Sequence, residues 1–511
     1  MTWALLITAF VISTCGLIYE LIAGTVASYL LGDSVTQFST IIGVYLFFMG
    51  VGSFLSKYIE KNIILTFVQV ELLVGLVGGS SATMLFFMFE YVENFRILLY
   101  SLVGIIGVLI GIEIPLLMRI LKGQLEFKDL VSKVFTFDYV GALLASLVFP
   151  LVLVPYLGLV RSSFLFGIFN VLVAIWTLPL FRKELPWLNS MRTIAFTLVV
   201  GLTLGFAFSE KLVKMSESTS YHEHIIYSKS SPYQRIVITG GKRFKLFLNG
   251  NLQFNSQDEY RYHEALIHPA LGSLPEAKKV LILGGGDGMA AREILKYPQI
   301  ESITLVDLDP ALTNLFSKQK LFVELNQNSL NNPRVKVINK DAFVWLRSCK
   351  QKFDLVVVDF PDPSNFSLGK LYTDTFYRQV KKVVTPDSLV VIQSTSPYFA
   401  RNSFWCVVST LESVGFKTVP YHAYVPSFGD WGYIIARARA KETGESLSKS
   451  DRFQFGHRYP AGLKYVSKDS VASMLDFPAD MKPSVKEVNK LNNQSLVHLF
   501  EAEWDEYAET F

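Results

Sequence analysis

Hydrophobic positions dominate the first 210 residues of this 511-residue chain and then give way to a mixed pattern. The first charge is Glu20, and apolar runs of about 20 residues, the length that an α-helix needs to cross a bilayer, continue to about Phe208. The pattern predicts a multi-pass α-helical membrane domain over 1–210. Its seven expected transmembrane helices lie at 3–31, 37–57, 63–88, 97–118, 136–156, 159–181 and 193–209.

After Lys214 the pattern is that of a soluble protein. Short alternating and β-branched runs, broken by Ser-Pro and Asn-Gly, predict hairpins over about 216–254, and a helix is expected within 256–272. From Lys279 onward, apolar runs alternate with helical patterns, which predicts a doubly wound, mostly parallel sheet of the Rossmann type. Its strands are expected at 279–283, 302–307, 334–338, 354–359 and 388–394.

These patterns divide the rest of the chain into three parts. We expect a small β-rich subdomain over 211–255 and an α/β domain over 256–440. The remaining 441–511 opens with the polar linker ETGESLSKSD and ends in a helical stretch, and we expect it to pack on the α/β domain.

Charge and cysteine content narrow the class of protein. The net charge of +4 is mild for this length and indicates no nucleic-acid partner. Cys15, Cys349 and Cys406 are scattered, without metal or redox spacing, so neither a disulfide framework nor a metal site is expected. The N-terminus lacks the basic region of a cleaved signal peptide, so the first span should remain in the membrane.

The stretch VLILGGGDG, from Val280 to Gly288, joins a buried strand to a helix through glycines. Such a turn lets backbone approach a nucleotide-like ligand closely, and an acid about 20 residues later can bind a ribose hydroxyl. Asp307 ends the next strand and lies 307 − 288 = 19 residues beyond Gly288. Further acids follow the expected strands, so that four lie at one edge of the sheet: Asp287, Asp307, Asp341 and Asp359.

An ordered series of motifs resembles the spermidine synthase, or polyamine aminopropyltransferase, family. It runs through SPYQ at 231–234, LFLNGNLQ at 246–253, DEYRYHE at 258–264, then VLILGGGDG, TLVDLD, DAF and DFPDP, and ends at LYTDTFY, 371–377. The resemblance covers about 220–435, and with the hydrophobic half the chain looks like the membrane-fused members. It implies a class I methyltransferase-like fold that transfers the aminopropyl group of decarboxylated S-adenosylmethionine to an amine and releases methylthioadenosine.

The resemblance also implies residue roles. Asp359 would orient and deprotonate the attacking amine, with Asp362 beside it, while Asp287 would hold the ammonium of the donor. Asp307 would bind the ribose and Asp341 the adenine amino group. No metal or prosthetic group is required, because the sulfonium of the donor already makes methylthioadenosine a good leaving group. The other positions expected to form the donor site are Gln234, Tyr262, His263, Gly284 and Gly286.

Three departures from the family concern the amine acceptor. Gln393 is followed by Ser394 and Thr395, where members commonly have a glutamate two residues on. Phe428 replaces a tyrosine, and the usual Trp-x-x-Glu opening is not evident near 221–222. Around Thr395 and Phe428 we therefore expect a degenerate acceptor site, because a second buried ammonium would lack a carboxylate. In the donor pocket, the family's usual glutamate is replaced by Asp307.

Several functions remain open at this stage. The enzyme could use another amine, act on the donor alone by intramolecular displacement, or accept unmodified S-adenosylmethionine. A transporter or sensor that binds a polyamine or nucleoside is an alternative of a different class. A methyltransferase is disfavoured, because methyl transfer needs no pocket for an aminopropyl ammonium and the chain has DFPDP and YHE.

Acids within the apolar spans are costly and usually face a partner or a site. They suggest a site for a cation or polyamine or a proton path, or else contacts between helices through Arg119, Tyr19 or Tyr139. Close helix contacts are expected at six glycines: Gly43, Gly50, Gly52, Gly75, Gly78 and Gly79. The acids are Glu20, Glu71, Glu113 and Asp138.

Lipid and small molecules are the expected partners, and a homodimer is possible because aminopropyltransferases commonly form dimers or tetramers. Lys and Arg cluster after the second, fourth and sixth spans, which places the N-terminus in the cytoplasm and, after seven crossings, the α/β domain outside. The inferred ligand is a cytosolic metabolite, and on that ground we expect an inner-membrane protein with a cytoplasmic catalytic domain.

Overall fold

The chain folds into two compact units, Met1–Ile225 and Ile226–Phe511. The computed structural model describes residues 2–31, 34–89, 91–92, 94–182, 184–185, 187–221, 223–438, 455–456, 458–483 and 486–510. The expected linker at 442–451 and His222 lie outside the described residues.

The first unit consists of long apolar helices. Among the described residues, six stretches are long and apolar enough to cross a membrane, and the longest of them, Phe127–Leu180, has 54 residues. That stretch contains two α-helices, separated by a π-helical segment at Phe149–Leu157, which ends at Gly158 with its φ of +75°. The seven helices are α1 Thr2–Leu31, α2 Ser34–Leu55, α3 Ile63–Phe89, α4 Phe95–Leu121, α5 Phe127–Val148, α6 Gly158–Leu180 and α7 Leu188–Ser220.

Contacts between the helices give their directions. Helix α5 runs parallel to α1, because Thr2 bonds to Gln124 and Ser13 bonds to the backbone of residue 138. Helix α3 also runs parallel to α1, since the ring of Tyr19 lies against residue 78 and residue 29 contacts residue 86. Helix α6 is antiparallel to α3, because residues 81 and 163 are in contact, as are residues 71 and 170. Helices α5 and α6 therefore run in opposite directions.

Small residues permit the closest of these contacts. A Cβ at Gly52 would lie 2.1 Å from the carbonyl oxygen of Val108, and Gly75, Gly78 and Gly79 are similarly crowded. Glycine at these positions lets the helix backbones approach each other. The prediction is wrong at Gly43 and Gly50, where an added Cβ would meet nothing within 4 Å. Composition alone does not say which side of a helix faces a neighbour.

The acids of this unit differ in their burial. Glu71 and Glu113 are fully buried, Glu20 is 8% exposed, and Asp138 is only partly buried. The expected contact with Arg119 is wrong, because its guanidinium donates to the carbonyl oxygens of residues 56 and 59. The expected contact with Tyr139 is also wrong for the fully buried Glu71 and Glu113, since Tyr139 is 68% exposed.

The boundary expected at 210 also needs correction. Helix α7 continues to Ser220, and the first strand begins at Ile225. The segment 209–220 contains Glu, Lys, Leu and Met and has neither Gly nor Pro, so it favours continuation of the helix. The β-rich subdomain follows as a four-stranded sheet in the order β1-β2-β3-β4. Its strands are β1 Ile225–Ser230, β2 Arg235–Gly240, β3 Phe244–Leu248 and β4 Asn251–Asn255.

The α/β domain is built on a seven-stranded sheet in the order β10-β11-β9-β8-β5-β6-β7. Strands β5 to β9 are parallel and match the five predicted strands, with the Val280–Leu283 run fully buried. The carboxyl ends of parallel strands meet at one edge, where ligands of such sheets bind. The strands are β5 Lys279–Gly284, β6 Ser302–Asp307, β7 Val335–Asn339, β8 Phe353–Asp359, β9 Val384–Gln393, β10 Phe416–Val425 and β11 Gly429–Ala438.

Helices cover this sheet, and the C-terminal residues pack on it. The carboxylate of Glu264 accepts backbone N–H groups of 464–466, and that of Glu503 accepts those of 402–403. The helices are α8 Glu259–Leu271, α9 Met289–Leu295, α10 Pro310–Lys318, α11 Lys320–Leu325, α12 Ala342–Ser348, α13 Phe366–Gly369, α14 Asp374–Lys382, α15 Arg401–Ser413, α16 Lys468–Ser473 and α17 Ser495–Thr510.

Candidate active site

The glycine turn after β5 brings two strand ends together. Gly284 has a φ of +87°, and a Cβ there would lie 2.1 Å from the carbonyl oxygen of Asp359 at the end of β8. A Cβ at Gly286 would lie 2.6 Å from the carboxylate of Asp307 at the end of β6. A side chain at Gly284 would meet backbone and one at Gly286 would displace the Asp307 carboxylate, so glycine at both positions lets the ends of β6 and β8 lie against the turn that follows β5.

Asp307 is fixed by backbone donors. One carboxylate oxygen accepts the N–H of Gly286 at 3.1 Å and the other accepts the N–H of Asp309 at 2.8 Å. Burial raises the pKa of Asp307 to about 7, although these two hydrogen bonds lower it. The side chain keeps free lone pairs beside the glycine turn, which suits it to accept from a ligand hydroxyl.

Asp359 lies at the centre of the strand-end cluster. Its Oδ1 accepts a hydrogen bond from the hydroxyl of Tyr262 at 2.6 Å, and its Oδ2 lies near Gly285. Burial raises the pKa of Asp359 to about 6, and the nearby Asp287 adds to this effect while His263 and Tyr262 oppose it. A carboxylate with a pKa close to neutral can accept a proton during a reaction.

Asp287 and His263 interact electrostatically with each other and with Asp359. The Asp287 Oδ1 accepts the N–H of Met289 at 2.9 Å, and burial raises the pKa of the carboxyl while the charge of His263 lowers it. His263 bonds to Glu259 at 2.8 Å, and although burial lowers the pKa of the imidazole, Glu259 brings it above the usual value. The imidazole therefore favours a positive charge next to two acids.

Gln393 and Tyr372 hold the loop that follows Asp359 by donating hydrogen bonds to its carbonyl oxygens. The Gln393 amide donates to the carbonyl oxygen of Phe360 and to the Tyr372 hydroxyl, while Trp431 donates to its oxygen at 3.1 Å. This clamp positions the Asp362 carboxyl. Burial raises the pKa of Asp362 to about 7, although Gln393 and the backbone of residue 395 lower it.

Gln234 and Asp341 lie at the edges of the cluster. The Gln234 amide donates to Asp309 at 2.9 Å, and this contact ties the β-rich subdomain to the end of β6. Asp341 caps α12 through two backbone N–H groups and accepts from Lys370 at 2.7 Å. Burial raises the pKa of Asp341, but the Lys370 ammonium outweighs it and holds the pKa below the usual value.

The positions expected to receive the acceptor, Ser394, Thr395 and Phe428, are neutral, and the Asp258 carboxylate bonds to Ser427 beside Phe428. Ser394 and Thr395 are each 1% exposed, and in the described part of the chain neither hydroxyl has a hydrogen-bond partner. The Phe428 ring lies 4.8 Å from the ring of Trp431 and 6.1 Å from that of Tyr262. Phe428 therefore packs against the two aromatic residues that donate to Asp359 and Gln393.

Sequence reasoning missed several of these residues. Asp309 had a usable signal, because an acid directly before a proline is typical of a helix N-terminus. Gln393 was expected only to precede the acceptor positions Ser394 and Thr395, although its side chain orders the loop that contains Asp362. Lys370 and Trp431 gave no signal, since their roles depend on contacts between distant segments.

Comparison with known proteins identifies the family. Residues 259–447 match the model of the spermine/spermidine synthase domain. A polyamine aminopropyltransferase of Leptospira interrogans is 52% identical over 509 residues, which cover 99% of each chain. This chain belongs to the polyamine aminopropyltransferase family. It is a transferase, and polyamine aminopropyltransferase 2 of Ralstonia nicotianae, 52% identical over 98% of both chains, matches it over the helical half as well.

More distant relatives match this chain over different lengths. The polyamine aminopropyltransferase of Mycobacterium tuberculosis is 34% identical and covers 96% of this aminopropyltransferase and 95% of its own length. Among solved structures, spermidine synthase from Thermotoga maritima is 24% identical, covering 50% of this chain and 85% of its own with a TM-score of 0.43.

Proposed function

We propose that this transferase is a membrane-bound enzyme that moves the aminopropyl group of decarboxylated S-adenosylmethionine to an amine and releases methylthioadenosine. The observation that carries the proposal is the Asp287–Asp359 pair, two carboxyls on adjacent strand ends at the glycine turn. The donor carries a sulfonium and an ammonium, and two acids can compensate these charges where few water molecules are available.

The donor would lie along the strand ends. Asp307 would accept from the ribose beside Gly286, with Gly284 letting the backbone approach the ligand. Asp341 would accept from the adenine amino group through a lone pair that Lys370 leaves free. Gln234, Tyr262 and His263 would line the aminopropyl end.

Asp359 would serve as the base. The amine nitrogen attacks the aminopropyl carbon next to sulfur, the carbon–sulfur bond breaks, and its electron pair stays on the sulfur of methylthioadenosine. The nitrogen loses one proton, and Asp359 accepts it while its hydrogen bond from Tyr262 fixes the orientation of the carboxylate. Asp362 lies beside it and would orient the same amine.

The far end of the acceptor would meet neutral groups. The hydroxyls of Ser394 and Thr395 have no partner among the described residues and, like the ring of Phe428, carry no charge, while the nearby Asp258 carboxylate is bonded to Ser427. This supports an acceptor whose far end is uncharged or bonded through hydroxyl groups, in preference to a diamine with two buried ammonium groups.

Purified full-length protein in detergent would test this function. Decarboxylated or unmodified S-adenosylmethionine is supplied with and without a panel of amines, and methylthioadenosine and product masses are measured. Amine-dependent release with a product heavier by one aminopropyl group is expected. Methylthioadenosine release without added amine would contradict transfer to an amine and indicate intramolecular displacement within the donor. Absence of turnover with retained donor binding would contradict the proposal as well.

The helical unit would hold the enzyme in the inner membrane. Helices α5 and α6 run in opposite directions, so we count them as two separate membrane crossings. We therefore propose seven crossings, with the catalytic domain in the cytoplasm. This places residue 2 outside, against the distribution of positive loops. A reporter fused after Phe511 should be active in its cytoplasmic form, and the reverse result would support the charge distribution instead.

A further inference from the structure

Two glutamates on adjacent helices are buried at the centre of the helical unit. Glu71 on α3 and Glu113 on α4 both have 0% exposure. The two carboxyls interact electrostatically with each other, and Cys15 and Tyr19 of α1 lie close enough to interact electrostatically with both. Isolated carboxylates in an apolar interior are costly, so they are normally paired or hydrogen-bonded.

Three of the four carboxyl oxygens of this pair lack a partner. The amide of Asn170 donates to Glu71 Oε2 at 3.1 Å. The other oxygen of Glu71 and both oxygens of Glu113 are buried and accept no hydrogen bond from the described residues. Buried acceptors without donors are rare in folded proteins, and each such case indicates an additional ligand or a special role.

The neighbouring donors are already committed elsewhere. The Tyr19 hydroxyl donates to Asn170 Oδ1 at 2.8 Å, and the Tyr45 hydroxyl donates to the carbonyl oxygen of Gly16 at 2.8 Å. The network of Tyr19 and Asn170 therefore holds one oxygen of Glu71 in place and leaves the rest of the pair open.

Lys and Arg side chains in the described part of the chain do not fill this role. Within the ranges that the structure describes, no Lys or Arg lies at ion-pairing distance from Glu71 or Glu113. Arg119, on the same helix as Glu113, is bound to backbone carbonyl oxygens at 2.9 and 2.6 Å. The described residues also contain no cluster of three or more His, Cys, Asp or Glu side chains suited to a metal ion.

We propose that Glu71 and Glu113 bind the primary ammonium end of a linear amine inside the helical unit. A primary ammonium carries one positive charge and three N–H donors, which match the three unpartnered carboxyl oxygens. It also supplies the counter-charge that the pair lacks. The site belongs to the first unit, uses no residue of the catalytic cluster, and gives the apolar half a role in amine recognition.

Equilibrium dialysis of full-length protein in detergent with radiolabelled 1,4-diaminobutane would test this site. Removing a hydrogen-bonded counter-charge should weaken binding by roughly tenfold or more, so Glu113→Gln and Glu71→Gln should each bind one amine fewer per chain than wild type. Glu60→Gln, which changes an exposed glutamate of the same unit, is the matched control and should leave binding unchanged.

Competition in the wild-type protein provides a test that needs no variant. Propylammonium has three N–H donors and should displace the label from this site, whereas tetramethylammonium has the charge without donors and should not. Equal competition by both, or unchanged stoichiometry in Glu113→Gln, would overturn the proposal. Absence of bound amine in wild type would do the same and would point to a pair of protonated carboxyls.

Methylthioadenosine release separates this result from the catalytic proposal. Both glutamine variants should keep the wild-type rate within about twofold, because neither residue belongs to the strand-end cluster. Retained release with lost binding supports an amine site in the helices, while unchanged binding with abolished release would refute it and leave the catalytic proposal to its own assay.

Discussion

Both units of the molecule bury carboxyls, but they treat them differently. In the catalytic unit, Asp307 and Asp287 each accept backbone N–H groups, and Asp359 accepts a hydroxyl. In the helical unit, Glu113 accepts no hydrogen bond from the described residues. The strand ends of a parallel sheet expose unpaired N–H groups that can stabilise an acid, whereas the middle of a helix has none to spare.

The comparison shows that the two kinds of buried acid have different requirements. The acids of the catalytic unit are positioned before any ligand binds, so their function should depend on partners within the protein. The glutamates of the helices should depend on a partner from outside. Substitutions in the catalytic unit therefore test whether its acids depend on these internal partners.

The largest effect is expected for Asp359→Asn. The amide cannot accept the proton of the attacking amine, and loss of a general base costs roughly 10²- to 10⁴-fold in rate. Methylthioadenosine release under saturating donor would measure the loss. Asp387→Asn, at an exposed position of the same domain, should retain the wild-type rate. A variant with near-normal turnover would remove Asp359 from its proposed role.

The next effect concerns stability. Glu259 accepts from both terminal nitrogens of Arg292, at 2.9 and 2.8 Å, and also bonds to His263. Glu259→Gln would remove the carboxylate that bonds to His263 and one of the two carboxylates that pair with Arg292, the other being Glu293 at 2.9 Å. Breaking such a buried pair costs about 3 to 5 kcal/mol. Thermal unfolding should show a clear drop in Tm.

The exposed pair Lys278–Glu301 supplies the control for this substitution. Its atoms lie 2.8 Å apart, but both side chains are more than half exposed. Water screens such pairs, so Glu301→Gln should leave Tm unchanged. Equal shifts in the two variants would contradict the assignment of the stabilising role to the buried network.

The fold of the catalytic unit was predictable to a large extent. Apolar runs mark the five parallel strands, three of which end in Gly or Asp, and all five were found close to the expected positions. The antiparallel strands β10 and β11 were not predicted. Val425 and Gly429 flank their turn, and the sequence PSFGDW reads as a loop, while their pairing depends on the neighbouring β9.

The candidate site was predictable in its strand-end acids and not in their supports. Local sequence placed Asp307 and Asp359 at strand ends, because that position follows directly from the apolar run. The clamp of Gln393 and Trp431 and the ion pair of Lys370 join residues far apart in the chain. Such contacts appear only when the sheet order is known, and the same limit explains the wrong expectation for Arg119.

A smaller effect is expected in the pH profile. Asp359 must be ionised to accept a proton, and burial raises its pKa to about 6, so activity should rise with pH through this value. At pH 5 the rate should be roughly tenfold below its plateau. Tyr262→Phe removes the hydrogen bond that favours the ionised form, and the acid limb should therefore move to higher pH. Tyr433→Phe, at a neighbouring ring that bonds to the backbone of residue 262, is the control.

The smallest effect is expected in the acceptor region. Thr395→Val preserves the shape of a buried side chain and removes a hydroxyl that has no partner among the described residues. If this hydroxyl binds the acceptor, KM for the amine should rise roughly threefold to tenfold, the range for one neutral hydrogen bond, while KM for the donor stays constant. Thr375→Val removes a hydroxyl that bonds to Asp374 and should change neither constant. An unchanged amine KM in Thr395→Val would show that the far end of the acceptor is not held here, and the neutral lining would then reflect packing alone.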